Sequence, residues 1–442
     1  MPANDSTIIL TDEFKEALHR LERKDFIQPL LFITGRAGTG KSTLLHYFAT
    51  TTAQNVVVLA PTGLAAINVH GQTIHSFFRL TPRNLLDTAY LKSVARRIPK
   101  KELHAFDTLV IDEASMLRAD LLDAMDFILR TATRDERPFG GKRVVLFGDL
   151  FQLPPVEESA DNELFDLFTA QYPTPYFFSA QVLRQMPLEI FELTRIFRQN
   201  TDRTFVHLLN RIRDGEVTQS ELDTLLNVRR TDQSPEDFEN CIILAPTNRE
   251  VTRRNLHYLS QLDGQEFIYK ADIDEGFKHR QILAEPELHL KKGAKIIMLT
   301  NQTDCWVNGD IGTVYNLGED FIQVELKGVV YPVEKHRWED VRYVFNPLTQ
   351  KLEPQSQGFF TQYPLKLAWA ITIHKSQGLT FEQIFLDIGR GAFASGQTYV
   401  ALSRCRTLQG VHLKRHITMQ DILCDKRVRR FFNEIACSSR AK

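Results

Sequence analysis

The run Thr34-Gly35-Arg36-Ala37-Gly38-Thr39-Gly40-Lys41-Ser42-Thr43 places three glycines ahead of a lysine and two hydroxyls. Glycines at 35, 38 and 40 let the backbone curl, so that its amides and the start of a following helix face one anion. Lys41 then meets the β- and γ-phosphates of a nucleoside triphosphate, and the Ser42 hydroxyl is placed to hold a magnesium ion. A second chemical pair, Asp112-Glu113, ends the apolar run Leu109-Val110-Ile111. Hydrolysis needs one carboxylate to fix the metal through its waters and a second group to orient the attacking water. Asp112 suits the first task and Glu113 the second. Gly148-Asp149-Leu150-Phe151-Gln152 ends another apolar run, and it sets the uncharged Gln152 within reach of both a γ-phosphate and a bound polymer. Charge developing on a transferred phosphoryl group also calls for arginines from outside the loop. The segments Leu193 to Gln199, with Arg195 and Arg198, and Tyr399 to Arg406, with Arg404, are expected to supply them from a second lobe.

The elements around these residues read as an α/β sheet. Leu30-Leu31-Phe32-Ile33, Val56-Val57-Val58-Leu59-Ala60, Thr108-Leu109-Val110-Ile111 and Arg143-Val144-Val145-Leu146-Phe147 are continuous apolar runs, the pattern of parallel strands covered on both faces. Each ends in polar punctuation, where such sheets collect their ligands. Intervening helix patterns imply right-handed crossovers. A second set of apolar runs begins at Cys241-Ile242-Ile243-Leu244-Ala245 and Lys295-Ile296-Ile297-Met298-Leu299. Pro246-Thr247-Asn248 after the first of them repeats the form of Pro61-Thr62-Gly63, which predicts a second α/β lobe. From Asp310 to about Tyr363 the runs become short and alternating, the pattern of an inserted antiparallel barrel. Trp306 is read as the packed neighbour of an Asn308-Gly309 hairpin turn.

A chain of 442 residues calls for several domains, and 43% hydrophobic with 25% charged residues is the composition of a globular protein. A net charge of −1 gives no global field for nucleic acid, so any such contact must come from local patches. One stands out: between Arg79 and Lys101 there are seven cations against the single acid Asp87. Arg96 and Arg97 in this segment are candidates for a phosphate backbone. Five scattered cysteines without C-x-x-C spacing disfavour disulfides and zinc, and no run reaches membrane-spanning length. The expectation is a cytoplasmic monomer.

In chain order, the phosphate loop, Ala60-Pro61-Thr62-Gly63, Gly71-Gln72-Thr73-Ile74-His75-Ser76-Phe77, Asp112 to Ser115, Gly148 to Pro155, Arg195 to Gln199, Trp306 to Gly309, His374-Lys375-Ser376-Gln377-Gly378-Leu379-Thr380 and Tyr399 to Arg406 resemble the motif set of superfamily-one helicases. The resemblance is closest to the Pif family of 5′-to-3′ DNA helicases, related to the RecD-like enzymes, and it extends from about Leu10 to Leu413. It implies two RecA-like lobes: residues 1–78 with 104–185, and 186–310 with 363–442. Residues 79–103 would form a basic wedge and 311–362 a small β-barrel insertion.

ATP and magnesium are the implied cofactors. Gly35, Ala37, Gly38, Thr39, Gly40, Lys41, Ser42, Thr43, Gln377 and Gly378 would hold the nucleotide, Ser42 and Asp112 the metal. Lys41, Asp112, Glu113, Gln152, Arg198 and Arg404 would carry catalysis. Thr62, Gly63, His75, Phe77, Thr372, His374 and Lys375, with Arg96 and Arg97, would face DNA, through aromatic stacking that tolerates any sequence. The implied partners are single-stranded DNA and forked or 5′-tailed duplexes, in repair, recombination or replication. A RecD-like nuclease subunit, an RNA translocase and a non-unwinding ATP-gated clamp use the same parts. A P-loop kinase would leave the Arg404 segment without a role. One departure concerns the base: the family's N-terminal segment offers a glutamine to adenine, and this chain has Phe14 there.

Overall fold

A computed structural model describes residues 10–23, 30–81, 85–156, 163–197, 202–238, 240–277 and 284–440. The chain divides into two compact units, residues 9–197 with 341–357 and 426–442, and residues 198–340 with 358–425.

The unit carrying the phosphate loop is built on six parallel strands. They are β1 (Leu30–Gly35), β2 (Val56–Ala60), β3 (Gln72–Thr73), β4 (Thr108–Ile111), β5 (Arg143–Phe147) and β6 (Leu188–Leu193), in the order β3-β2-β4-β5-β1-β6. Every residue of β1, β4 and β5 is buried, as their continuous apolar runs require. Helices α1 (Asp12–Glu22) and α2 (Lys41–Thr51) share one core cluster through Phe14, Ala17, Leu21, Leu44, Leu45 and Phe48. Thr11 caps α1, its hydroxyl accepting from the Phe14 amide at 3.2 Å, a contact worth about 1 kcal/mol. α3 (Gly63–Asn68) packs through Ala65 and Ala66 with Ala60, and the larger core cluster takes in α4 (Ile74–Phe77) at Ile74 and Phe77 together with residues of the strands and of α5 (Thr88–Arg97), α6 (Lys100–His104), α7 (Ala119–Thr133) and α8 (Glu163–Gln171).

The second unit contains α9 (Arg203–Asp214), α10 (Gln219–Glu221), β7 (Cys241–Ala245), α11 (Asn248–Gln261), β8 (Phe267–Lys270), β9 (Asp272–Ile273), β10 (Glu287–Leu290), β11 (Lys295–Met298), β12 (Ile311–Leu317), β13 (Ile322–Leu326) and β14 (Val329–Val333). A long hairpin follows, β15 (His336–Asn346) and β16 (Lys351–Gln362), then β17 (Leu365–Leu367), β18 (Ala370–Thr372), β19 (Gln383–Leu386), α12 (Gln397–Leu402), β20 (Val411–Leu413) and α13 (Lys426–Arg440). Strands β18-β7-β19-β20 form a parallel sheet, and β14-β13-β12-β11-β17 an antiparallel one with its own core. Trp306 sits in that core, edge-on to Tyr331 at 5.9 Å, which is the packing role read for it.

Four placements depart from the expected boundaries. β6 pairs with β1 along its whole length, so the Leu193 to Phe197 segment belongs with the phosphate loop and not with a second lobe beginning at 186. Its glutamates hid it: Glu189 is an edge-strand acid held by Arg20 at 2.6 Å and Arg23 at 3.4 Å. β11, read as an α/β strand, pairs antiparallel with β12 and β17, so the antiparallel insertion is larger than residues 311–362. Residues 341–357 of the hairpin count with the phosphate-loop unit, where the Val58 amide donates to the Tyr343 hydroxyl at 3.3 Å. α13 counts there as well, because Phe431 stacks on Phe178 at 4.3 Å and Phe432 on Phe151 at 5.5 Å.

Candidate nucleotide and nucleic-acid site

Because all six strands of the first sheet run the same way, the loops that follow them gather along one edge. β5 lies between β4 and β1, which brings Gln152 between Asp112-Glu113 on one side and the phosphate loop on the other. The loop is shaped by its glycines at two positions above all. Gly40, with φ of 84°, caps α2, and a Cβ there would lie 2.8 Å from the Phe14 ring. At Gly35 a Cβ would lie 2.6 Å from the Leu193 carbonyl oxygen. Thr39 is buried and donates to the Arg36 carbonyl at 2.9 Å, closing the loop on itself. Lys41 Nζ donates to the Gly35 and Arg36 carbonyls at 2.7 and 3.0 Å, which aims the ammonium across the loop mouth. Ser42 and Thr43, at the exposed start of α2, and Ala37, buried in the loop, complete the expected nucleotide set of this unit.

Asp112 follows β4 and is almost fully buried. Burial pushes its carboxyl up to about 6, against the Glu113 amide and the nearby Lys41, which both favour the carboxylate. Glu113 adopts the left-handed region with φ of 50°, an uncommon conformation for a non-glycine residue and one that turns its side chain away from the strand line. Gly148 allows the next loop to pass close: a Cβ there would meet the Ala114 amide nitrogen at 2.9 Å. Gln152 is buried, its amide donating to the Asp149 carbonyl at 2.9 Å and its side chain reaching the Asp149 carboxylate at 3.5 Å. Asp149, 1% exposed, was not singled out in the sequence, where a Gly-Asp turn is ordinary; it is the residue that positions Gln152.

Oxygen donors from Ser42 and Asp112 beside a lysine are the hard set that magnesium takes with phosphate. Among the described residues there is no cluster of three or more acidic, histidine or cysteine side chains that would make an all-protein metal cage.

In the second unit, the carboxyl end of β18 leads into the His374 to Gly378 loop. Thr372 is buried, and its hydroxyl accepts from the Lys375 amide at 3.2 Å. Gly378 has φ of 80° with nothing within 4 Å of a Cβ, an open left-handed turn beside Gln377. Arg404, 2% exposed, runs beneath that loop. Its Nε donates to the Val400 carbonyl at 2.9 Å, Nη2 to the Ser403 hydroxyl at 2.7 Å, and Nη1 reaches the Ser376 and Leu379 carbonyls at 3.5 Å. The predicted trio Gln377, Gly378 and Arg404 is therefore one local construction. Arg198 lies outside the described residues.

The profile of PIF1-like helicases matches residues 9–223. The chain is 34% identical to Bacteroides Pif1 in complex with ADP-AlF4, with a TM-score of 0.86 and 98% of each chain covered. The chain belongs to the PIF1-like helicase family. It is 35% identical to Bacteroides Pif1 bound to ssDNA, again over 98% of each chain, with a TM-score of 0.67. It is 32% identical to the human ATP-dependent DNA helicase PIF1 over 91% of this chain, and spans 60% of that relative's length. The two α/β units with parallel sheets are the fold of this family.

Within that frame Phe14 has a definite place. It is 3% exposed, under the phosphate loop and edge-on to Phe197 at 6.1 Å. It fills core where a glutamine would carry an amide. The neighbouring Glu13, in the first turn of α1, ties that helix to the strand exit. It accepts from the Thr194 and Arg195 amides at 3.0 and 3.3 Å and from the Thr194 hydroxyl. Burial raises the Glu13 carboxyl, but these donors outweigh it and hold it below the usual range.

The residues expected on a DNA face divide in two. Thr62 caps α3, its hydroxyl accepting from the Ala65 amide, as Thr247 caps α11 through Glu250; Gly63 opens α3. Phe77 is engaged edge-on by Phe78, Phe106 and Tyr343 at 5.0, 5.9 and 6.1 Å, so its ring is a packing element. His75 is half-buried, and burial lowers its pKa against the nearby Asp120. By contrast Arg96 and Arg97 are exposed at the end of α5, whose other face buries Leu91, Val94 and Ala95. His374 and Lys375 are exposed too.

Proposed function

We propose that the chain is an ATP-dependent DNA helicase that translocates 5′ to 3′ on single-stranded DNA. The curated relatives it matches are longer, the chain spanning about 60% of their length, so activity and substrates are assigned from the site. The observation that carries the reading is the row of loops on one sheet edge: Lys41, Asp112, Glu113 and Gln152 around one anion-binding turn, in a family whose relatives are named ATP-dependent DNA helicases.

In this reading the loop amides and Lys41 grip the ATP phosphates, and Glu113 orients and deprotonates the attacking water. Ser42 and Asp112 would hold magnesium, which neutralises phosphate charge. Gln152, steadied by Asp149, reports the state of the γ-phosphate to the bound strand. Arg404 is the further cation that charge developing on the phosphoryl group calls for, with Arg198 the second candidate. The test is ATP hydrolysis with and without oligo(dT): strong stimulation by single-stranded DNA is expected, and hydrolysis indifferent to DNA overturns the assignment.

Two further results are expected. With Phe14 in the core in place of an adenine-reading amide, ATP, GTP and CTP should be turned over at similar rates. Competition assays showing strict ATP dependence contradict this. Charge reversal of the exposed pair, Arg96→Glu with Arg97→Glu, should impair unwinding more than DNA-stimulated hydrolysis, because the pair contacts the backbone away from the nucleotide. Unwinding at the unmodified rate would leave both as plain surface.

A further inference from the structure

A side chain that reports the γ-phosphate to the bound strand, as Gln152 does in the reading above, needs a turn fixed behind it. The turn is closed from within: the Gln152 amide donates to the Asp149 carbonyl at 2.9 Å and the Phe151 amide to the Asp149 carboxylate at 3.2 Å. At the far end of the segment the Val156 carbonyl accepts from Arg118 Nη1 at 3.2 Å. These bonds give the segment its shape. Phe151, next to Gln152, then carries its ring to α13, where it lies nearly parallel to Phe432, with centroids 5.5 Å apart and planes 13° apart. A turn closed in this way moves as one body, so a displacement of the Phe151 ring carries Gln152 with it.

α13 is seated by other contacts as well. Val428 is fully buried in the larger core cluster, and Phe431 and Phe432 follow it at the helical spacing that puts all three on one face. Phe431 lies on Phe178 with centroids 4.3 Å apart and planes 10° apart, and Phe178 lies on Tyr176 at 5.2 Å and 7°. The Arg427 guanidinium is 5.5 Å from the Tyr176 ring centroid. The helix is thus a fixed surface, and Phe432 is a ring that it presents to the turn. Parallel ring pairs gain from ring-to-ring attraction as well as from buried area, so the contact sets orientation where an aliphatic side chain would only fill space.

We propose that Phe432 is a positioning residue for Gln152: its ring holds Phe151, and with it the turn, at the geometry from which ATP hydrolysis responds to single-stranded DNA. This rests on the role read for Gln152 and extends it to α13. Without the ring the turn samples other orientations, and the stimulated rate falls with the fraction of time spent in the competent one. The phosphate grip, with Lys41 on the Gly35 and Arg36 carbonyls, is built without the turn, so the KM for ATP should hold.

The experiment is steady-state ATP hydrolysis by the full chain without and with saturating oligo(dT), alongside thermal unfolding, for the unmodified protein, Phe432→Ala, Phe432→Tyr, Phe431→Ala and Gln152→Ala. The ratio of the two rates measures stimulation. In Phe432→Ala it should fall roughly three- to tenfold, the equivalent of one aromatic pair, at unchanged KM for ATP. Phe432→Tyr, which keeps the ring, should keep the ratio. Phe431→Ala should lower the melting temperature yet keep the ratio as well, since its ring lies on Phe178. Unaltered stimulation in Phe432→Ala overturns the proposal, as does an equal loss in Phe431→Ala, which would mark a general loosening of the helix. If Gln152→Ala keeps full stimulation, the role of Gln152 itself falls; if it loses stimulation while Phe432→Ala does not, only the positioning role of Phe432 is wrong.

Discussion

Lys41→Ala is expected to lose ATP hydrolysis by ~10²- to 10³-fold or more, the cost of removing one preorganised donor from a phosphoryl-transfer site. The fold should survive. α2 starts from the Gly40 backbone and not from the Lys41 side chain, and alanine is the best helix former at the vacated position. What the variant loses is the ammonium held by the Gly35 and Arg36 carbonyls at the loop mouth. Steady-state hydrolysis with saturating oligo(dT), alongside thermal unfolding, separates these statements. Hydrolysis within tenfold of the unmodified chain would mean that the loop does not serve the reacting phosphate.

Arg404→Lys is expected to cut hydrolysis by roughly 10³-fold, at the lower end of what a transition-state arginine supplies. The substitution keeps the charge but removes the planar fork that spans the Val400 carbonyl and the Ser403 hydroxyl. Because the side chain is buried, its lost hydrogen bonds should also cost the fold roughly 1–3 kcal/mol. Alanine would add a cavity, which makes lysine the better probe. Single-turnover hydrolysis, read with ATP affinity and a urea titration, distinguishes the two effects. Hydrolysis that falls only in proportion to unfolded protein would assign Arg404 to structure alone.

The nucleotide half of this molecule was legible because its signals are local. Backbone curvature demands glycine at 35 and 40, and strands covered on both faces demand the unbroken apolar runs of β1, β4 and β5. The Pro-Thr turns after β2 and β7 likewise announced two related units, each with a threonine cap. What stayed hidden depends on partners distant in sequence. Glu189 and Glu192 break the apolar run of β6, and only its pairing with β1 shows an edge strand. Nothing in the sequence around Phe431 and Phe432 says that Phe178 and Phe151 receive them. Phe77 followed the same logic in reverse: its motif position suggested a base platform, while three aromatic neighbours make it core.

The central claim is directional motion on DNA driven by ATP, and strand displacement tests it most directly. Duplexes of one sequence carrying a 5′ tail, a 3′ tail or blunt ends would be incubated with the full chain, ATP and magnesium, and the released strand measured over time. Displacement of the 5′-tailed duplex alone, absent in Lys41→Ala, is the predicted result. Displacement of the 3′-tailed duplex alone, or of neither while DNA-stimulated hydrolysis proceeds, would contradict a 5′-to-3′ helicase.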